Sequence, residues 1–83
     1  MSDRLPNAID RHVGSRLRRR RLEAGMTQTQ LAHAVGVTFQ QLQKYEGAIN
    51  RISAGALYQL ALTLDAPVHY FFDGLSRRDK RRG

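Results

Sequence analysis

The sequence has no cysteine, which excludes a disulfide framework and a thiolate metal site and fits a reducing compartment. No apolar run approaches the ~18 residues that span a bilayer, and the N-terminus lacks the apolar core of a signal peptide. A soluble, cytoplasmic chain is the expectation, with no membrane partner. No Ser-His-Asp set, glycine-rich phosphate loop or paired carboxylates are visible, so nothing argues for an enzyme, a cofactor or a small-molecule ligand. His12, His33 and His69 are spread along the chain without ligand spacing and read as surface or boundary residues, so no metal site is expected. Strand signals and internal repeats are lacking as well. Acidic residues are few: seven against fourteen cations, a formal net charge of +7 over 83 residues. That length makes one domain, with room for a modest helical core but not for an enclosed active site besides.

The cations that are present are unevenly placed. Ten of the fourteen fall in two runs, Arg16, Arg18, Arg19, Arg20 and Arg21, then Arg77, Arg78, Lys80, Arg81 and Arg82. Such runs either form a solvated basic surface or meet a polyanion, with nucleic acid ahead of an anionic membrane.

Between the runs, residues Thr27 to Ala48 read as two short helices joined at Gly36. Thr27 with Gln30, and Thr38 with Gln41, each have the spacing of a capping box. Gly36 suits a left-handed helix end. Leu31, Val35, Val37, Leu42 and Tyr45 then face inward, and Ala32 is small where the helices cross. Phe39, Gln40, Gln41, Gln43 and Lys44 are left for the outer face of the second helix, about 38–47. Polar side chains with one cation, on a helix braced by its neighbour, suit the edges of DNA bases. The pattern is that of a helix-turn-helix.

The flanks complete an all-α reading. Residues 1–6 read as a flexible arm, 7–75 as the domain and 76–83 as a flexible basic tail. Asn7 caps a first helix with Ile9, Val13, Leu17 and Leu22 on one stripe, ended by Gly25. Gly14 weakens that helix by ~1 kcal/mol relative to alanine and marks a close crossing. Ser53 caps a fourth helix carrying Leu57, Leu60, Ala61 and Leu64, ended by Asp65. Pro67 opens a fifth segment whose Val68, Phe71 and Phe72 are expected to close the core.

The span Val13 to Gly74 resembles the DNA-binding domain of phage-repressor-like regulators, the Cro/C1 or XRE family. The resemblance is carried by Arg16-Leu17-Arg18, by Met26-Thr27-Gln28-Thr29-Gln30-Leu31-Ala32 and by Val35-Gly36-Val37-Thr38. Lys44-Tyr45-Glu46 and Asn50-Arg51-Ile52-Ser53 add to it. Glycine is common in the family where Ala48 and Asp65 stand. The resemblance implies a five-helix, lambda-repressor-like fold. Its third helix enters the major groove, usually as a dimer on a two-fold operator.

Site residues follow from both readings. Gln40, Gln41 and Gln43 can pair with adenine, Lys44 can donate to guanine, and Phe39 can pack on a thymine methyl. Phe39 could instead fold under Val37, and Gln43 could face water at the edge. Thr27, Gln28, Arg18, Asn50, Arg51 and Ser53 are placed for phosphate contact, or for ordinary capping and loop roles. Arg21 continues the series Val13, Leu17, so its half-buried charge needs a partner, and Glu46 is the natural candidate. The resemblance implies the same pair. Arg16, Arg18, Arg19 and Arg20 read as surface cations. Tyr70, Phe71 and Phe72 cannot all face one core, so Tyr70 and Phe72 are the expected contacts of a weak homodimer strengthened on DNA. The expected partner is double-stranded DNA. Rival readings are an antitoxin-like autoregulator, a module of a longer regulator, and an RNA or membrane binder using only the arginine runs.

Overall fold

Asn7 opens the first helix with a reciprocal cap. Its side-chain oxygen accepts from the Asp10 N–H at 3.0 Å, and the Asp10 carboxylate accepts from the Asn7 N–H at 2.9 Å. From there helix α1 runs Ala8–Glu23. The computed structural model describes residues 7–75; the expected arm 1–6 and tail 76–83 lie outside the described residues. The buried side of α1 carries Val13, Gly14, Leu17 and Arg21. Ile9 and Leu22, expected on that stripe, are about half exposed at 44% and 50%. The inward sector centres on Leu17, and a helix turns ~100° per residue, which puts Ile9 at its margin and Leu22 well round the side.

Helices α2, Gln28–Val35, and α3, Phe39–Glu46, are the two members of the helix-turn-helix. Thr27 and Gln30 make a full capping box, at 3.0 and 2.8 Å. Thr38 caps α3 through Gln41 N–H at 3.0 Å, but the return bond from the Gln41 side chain is not made. Gly36 takes φ 77° between the helices, a conformation that costs glycine nothing. Leu31 and Ala32 of α2 meet Leu42 of α3 in the core.

Helix α4, Ala54–Thr63, is capped by Ser53, whose hydroxyl accepts the Ala56 N–H at 3.1 Å. It adds Leu57, Leu60 and Ala61 to a core whose fully buried members include Leu17, Leu31, Leu42, Leu60, Leu64 and Phe71. Each such side chain contributes about 1.5–3 kcal/mol by leaving water. The two sites where the family favours glycine both have left-handed backbone, Ala48 at φ 58° and Asp65 at φ 54°.

The described residues hold four α-helices, and the expected fifth helix is instead a 3-10 segment, Val68–Phe72, after Pro67. Of Val68, Phe71 and Phe72, only Phe71 enters the core; the other two are each 40% exposed. Successive residues of a 3-10 helix point ~120° apart, so one ring of three consecutive aromatics can face inward. Arg16 and Arg20 are not the surface cations expected. Arg16 Nε donates to the Tyr70 carbonyl at 2.9 Å with its guanidinium 3.9 Å above the Tyr70 ring. Arg20 Nε donates to the Leu64 carbonyl at 3.0 Å, filling an acceptor that the end of α4 leaves open. Together with the His12 ring nitrogen on the Asp73 carbonyl, at 2.6 Å, they fasten α1 to the chain beyond α4.

Candidate nucleic-acid interface

One side of α3 is anchored and the other is open. Leu42 is fully buried and Tyr45 packs against the core. Phe39, Gln40, Gln43 and Lys44 are exposed, and Gln41 is half-buried. Phe39 therefore does not fold under Val37. Among the described residues none of the five makes a side-chain bond, so their amide, ammonium and ring surfaces face outward.

The back of α3 is held through Glu46. Its Oε2 accepts from Arg21 Nε at 2.6 Å, and its Oε1 accepts from Arg21 Nη2 at 3.1 Å and from Gln28 Nε2 at 3.0 Å. Arg21 Nη1 also donates to the Met26 carbonyl at 2.9 Å. The pair is out of water, with side chains 7% and 3% exposed. One carboxylate thus joins α1, the first residue of α2 and the last residue of α3, and a bidentate guanidinium fixes direction as well as distance.

The residues placed for phosphate contact have mixed positions. Thr27 and Ser53 are exposed and use their oxygens as caps, with the first N–H groups of α2 and α4 beside them. Gln28 opens α2 as expected, but one of its amide N–H groups is committed to Glu46. Arg18 is exposed on α1, and Asn50 is exposed in the loop before α4. Arg51 pairs with Asp10, through Nε at 3.1 Å and Nη2 at 3.0 Å. Sequence reasoning missed that pair.

The two residues expected at a dimer contact differ. Tyr70 has one ring face under Arg16 and packs T-shaped with Phe71, with centroids 5.4 Å apart. Its hydroxyl is buried with no hydrogen-bond partner among the described residues. Phe72 is exposed and lines a shallow apolar hollow with Ile9, Val13, Ile52 and Leu57. Among the described residues no group of three or more His, Asp or Glu could hold a metal, and no helix is long and apolar enough to cross a membrane.

Comparison with known proteins agrees with this geometry. The model of the helix-turn-helix family matches residues 17–71. An uncharacterised HTH-type transcriptional regulator of Sinorhizobium fredii is 53% identical over 70 residues, which is 84% of this chain and 49% of that protein. The chain thus spans about half the length of that relative. The restriction-modification controller protein C.AhdI of Aeromonas hydrophila superposes with a TM-score of 0.75 at 27% identity, covering 80% of this chain and all of that one. SinR, a master regulator for biofilm formation solved in complex with DNA, gives 0.68 at 29% identity, covering 74% of this chain and 98% of that one. With its α2–turn–α3 unit, its lambda-repressor-like architecture and a family match over residues 17–71, the chain belongs to the Cro/C1-type (XRE) helix-turn-helix family of DNA-binding transcription regulators.

Proposed function

We propose that this chain is a sequence-specific double-stranded DNA-binding unit that lays α3 in the major groove of a two-fold operator, as a dimer. The observation that carries this is the division of α3 into an anchored back, Leu42, Tyr45 and Glu46, and an open front of Phe39, Gln40, Gln43 and Lys44. A reading helix must present side chains to base edges from a rigid mount, and an open front on an anchored back supports that role. Gln40 and Gln43 suit adenine, Lys44 suits guanine and Phe39 suits a thymine methyl, with Gln41 at the margin. Phosphates are met by Arg18, Asn50 and Arg51, by the spare amide N–H of Gln28, and by the capped ends at Thr27 and Ser53. The similar SinR is solved in complex with DNA, which supports DNA as the partner.

A dimer is proposed because one reading helix covers too few base pairs to mark a genomic site. Phe72 is its proposed contact, and Tyr70, held by Arg16, is set aside. The reading concerns the DNA-binding unit; whether a longer regulator or an antitoxin-like autoregulator uses it is decided elsewhere in such proteins. Titrating a selected operator and a random duplex with the wild type and Lys44→Ala tests it: the substitution should weaken the operator complex and leave the random one nearly unchanged.

A further inference from the structure

The recognition helix rests on a residue with no side chain. Gly14 is buried on α1 and faces the last turn of α3. A Cβ placed there would stand 2.6 Å from the Tyr45 carbonyl oxygen and 2.8 Å from that of Glu46. Both are backbone atoms, which cannot rotate away as a side-chain tip does. Carbon–oxygen contacts settle at about 3.3–3.6 Å, so any side chain at this position requires α1 and α3 to separate by roughly 0.7 Å.

What holds each helix decides which one moves. α1 has 16 residues and is fastened on its other flank by His12, Arg16 and Arg20 to the chain beyond α4. α3 has eight residues and leads into a loop with Ala48 at φ 58°. The short helix gives way. Its last turn also carries Glu46, tied to Arg21 seven positions along α1 from Gly14. The same helix therefore sets the last turn of α3 twice, by backbone contact and by ion pair.

We infer that Gly14 is a positioning residue for base reading: by leaving out a side chain, it fixes the height at which Gln43 and Lys44 are presented to DNA. This rests on the reading that α3 enters the groove. Binding constellations tolerate displacements of about 0.5 Å, less than a Cβ at Gly14 imposes. Contacts of long cations with phosphates adjust to such a shift, whereas paired hydrogen bonds to a base edge do not.

The test compares the wild type with Gly14→Ala, each with and without Asp65→Gly, which relieves a left-handed backbone after the end of α4. Each protein is titrated against a fluorescent duplex carrying the site selected by the wild type, and against a random duplex of equal length. Gly14→Ala is expected to keep its helical circular dichroism, to lose about tenfold on the selected site, equivalent to one good base pairing, and to change by less than about twofold on the random duplex. Unchanged affinity for the selected site overturns the inference, and so does an equal loss on both duplexes. Failure of Gly14→Ala to fold in both backgrounds also overturns it, because Gly14 would then be a requirement of the fold rather than of reading. Lack of preference in the wild type itself would refute the parent reading, and that result is distinguishable because it precedes any substitution.

Discussion

Both Nε and Nη2 of Arg21 donate to the carboxylate of Glu46, at 2.6 and 3.1 Å, inside the domain and away from water. Removing one partner strands the other charge in a place where water cannot reach it, and that costs about 3–5 kcal/mol. Arg21→Met and Glu46→Leu are each expected to lose that much stability in urea denaturation. The double variant should lose less than the sum, because neither charge is then left alone. Additive losses below about 1 kcal/mol would mean that the pair contributes nothing to the mount of α3.

Ala48 and Asp65 share a left-handed backbone but differ in burial, and the difference decides the outcome of a glycine at each. That conformation costs a residue with a Cβ about 1–2 kcal/mol, while glycine costs about 0.4–1 kcal/mol through the unfolded chain. Asp65 is exposed, so Asp65→Gly should stabilise by about 0.5–1 kcal/mol and raise Tm by a few degrees. Ala48 buries its methyl, whose loss costs about 0.8 kcal/mol, so Ala48→Gly should be close to neutral. Calorimetry of the two variants checks the order; a larger gain at Ala48 would contradict it.

The hydroxyl of Tyr70 is buried with no hydrogen-bond partner among the described residues. Removing an unsatisfied polar group leaves the packing and takes away a desolvation cost of about 1–3 kcal/mol. Tyr70→Phe is therefore expected to raise thermal stability, and Arg16→Ala to lower it by about 1–2 kcal/mol through the lost bond to the Tyr70 carbonyl and the lost ring contact. A clear loss of stability in Tyr70→Phe would show that the hydroxyl has an acceptor.

How legible these features were depends on distance along the chain. The caps of α1, α2, α3 and α4 were readable because each involves residues three apart. Arg21 was readable as an inward charge because it continues the spacing of Val13 and Leu17, and Glu46 was the carboxylate at the end of a helix bound to pack there. The roles of Arg16 and Arg20 were hidden: their acceptors are backbone carbonyls 54 and 44 residues away, which any residue offers and no side chain announces. Three consecutive aromatics showed that at least one ring must stay outside, but which ring enters the core depended on the 3-10 winding and on Arg16. Most of the open face of α3 was readable, since core positions at Leu42 and Tyr45 leave Gln40, Gln43 and Lys44 on the other side; Gln41, expected there too, is half-buried.

Base reading and phosphate contact should separate in mutants. Gln40→Ala and Lys44→Ala are each expected to cost about 1–3 kcal/mol on the operator and to relax preference at one base pair. Arg51→Ala should weaken operator and random duplex alike and reduce the salt slope by about one. Competition titrations at two salt concentrations check this, and equal losses on both duplexes for Lys44→Ala would make it a phosphate contact.

Assembly on DNA should depend on Phe72. Sedimentation with a two-fold operator is expected to show two chains bound cooperatively, with Phe72→Ser weakening the cooperativity and Tyr70→Phe leaving it intact. Cooperativity unaffected by Phe72→Ser would place the contact elsewhere.

The central claim is that α3 reads sequence in duplex DNA, and selection of bound sites from a random duplex pool tests it most directly. A two-fold consensus is expected, with half-sites about one helical turn, ~34 Å, apart. Recovery of no consensus, with random duplex bound as tightly as any selected site, would contradict it and leave only the attraction of a basic surface for a polyanion.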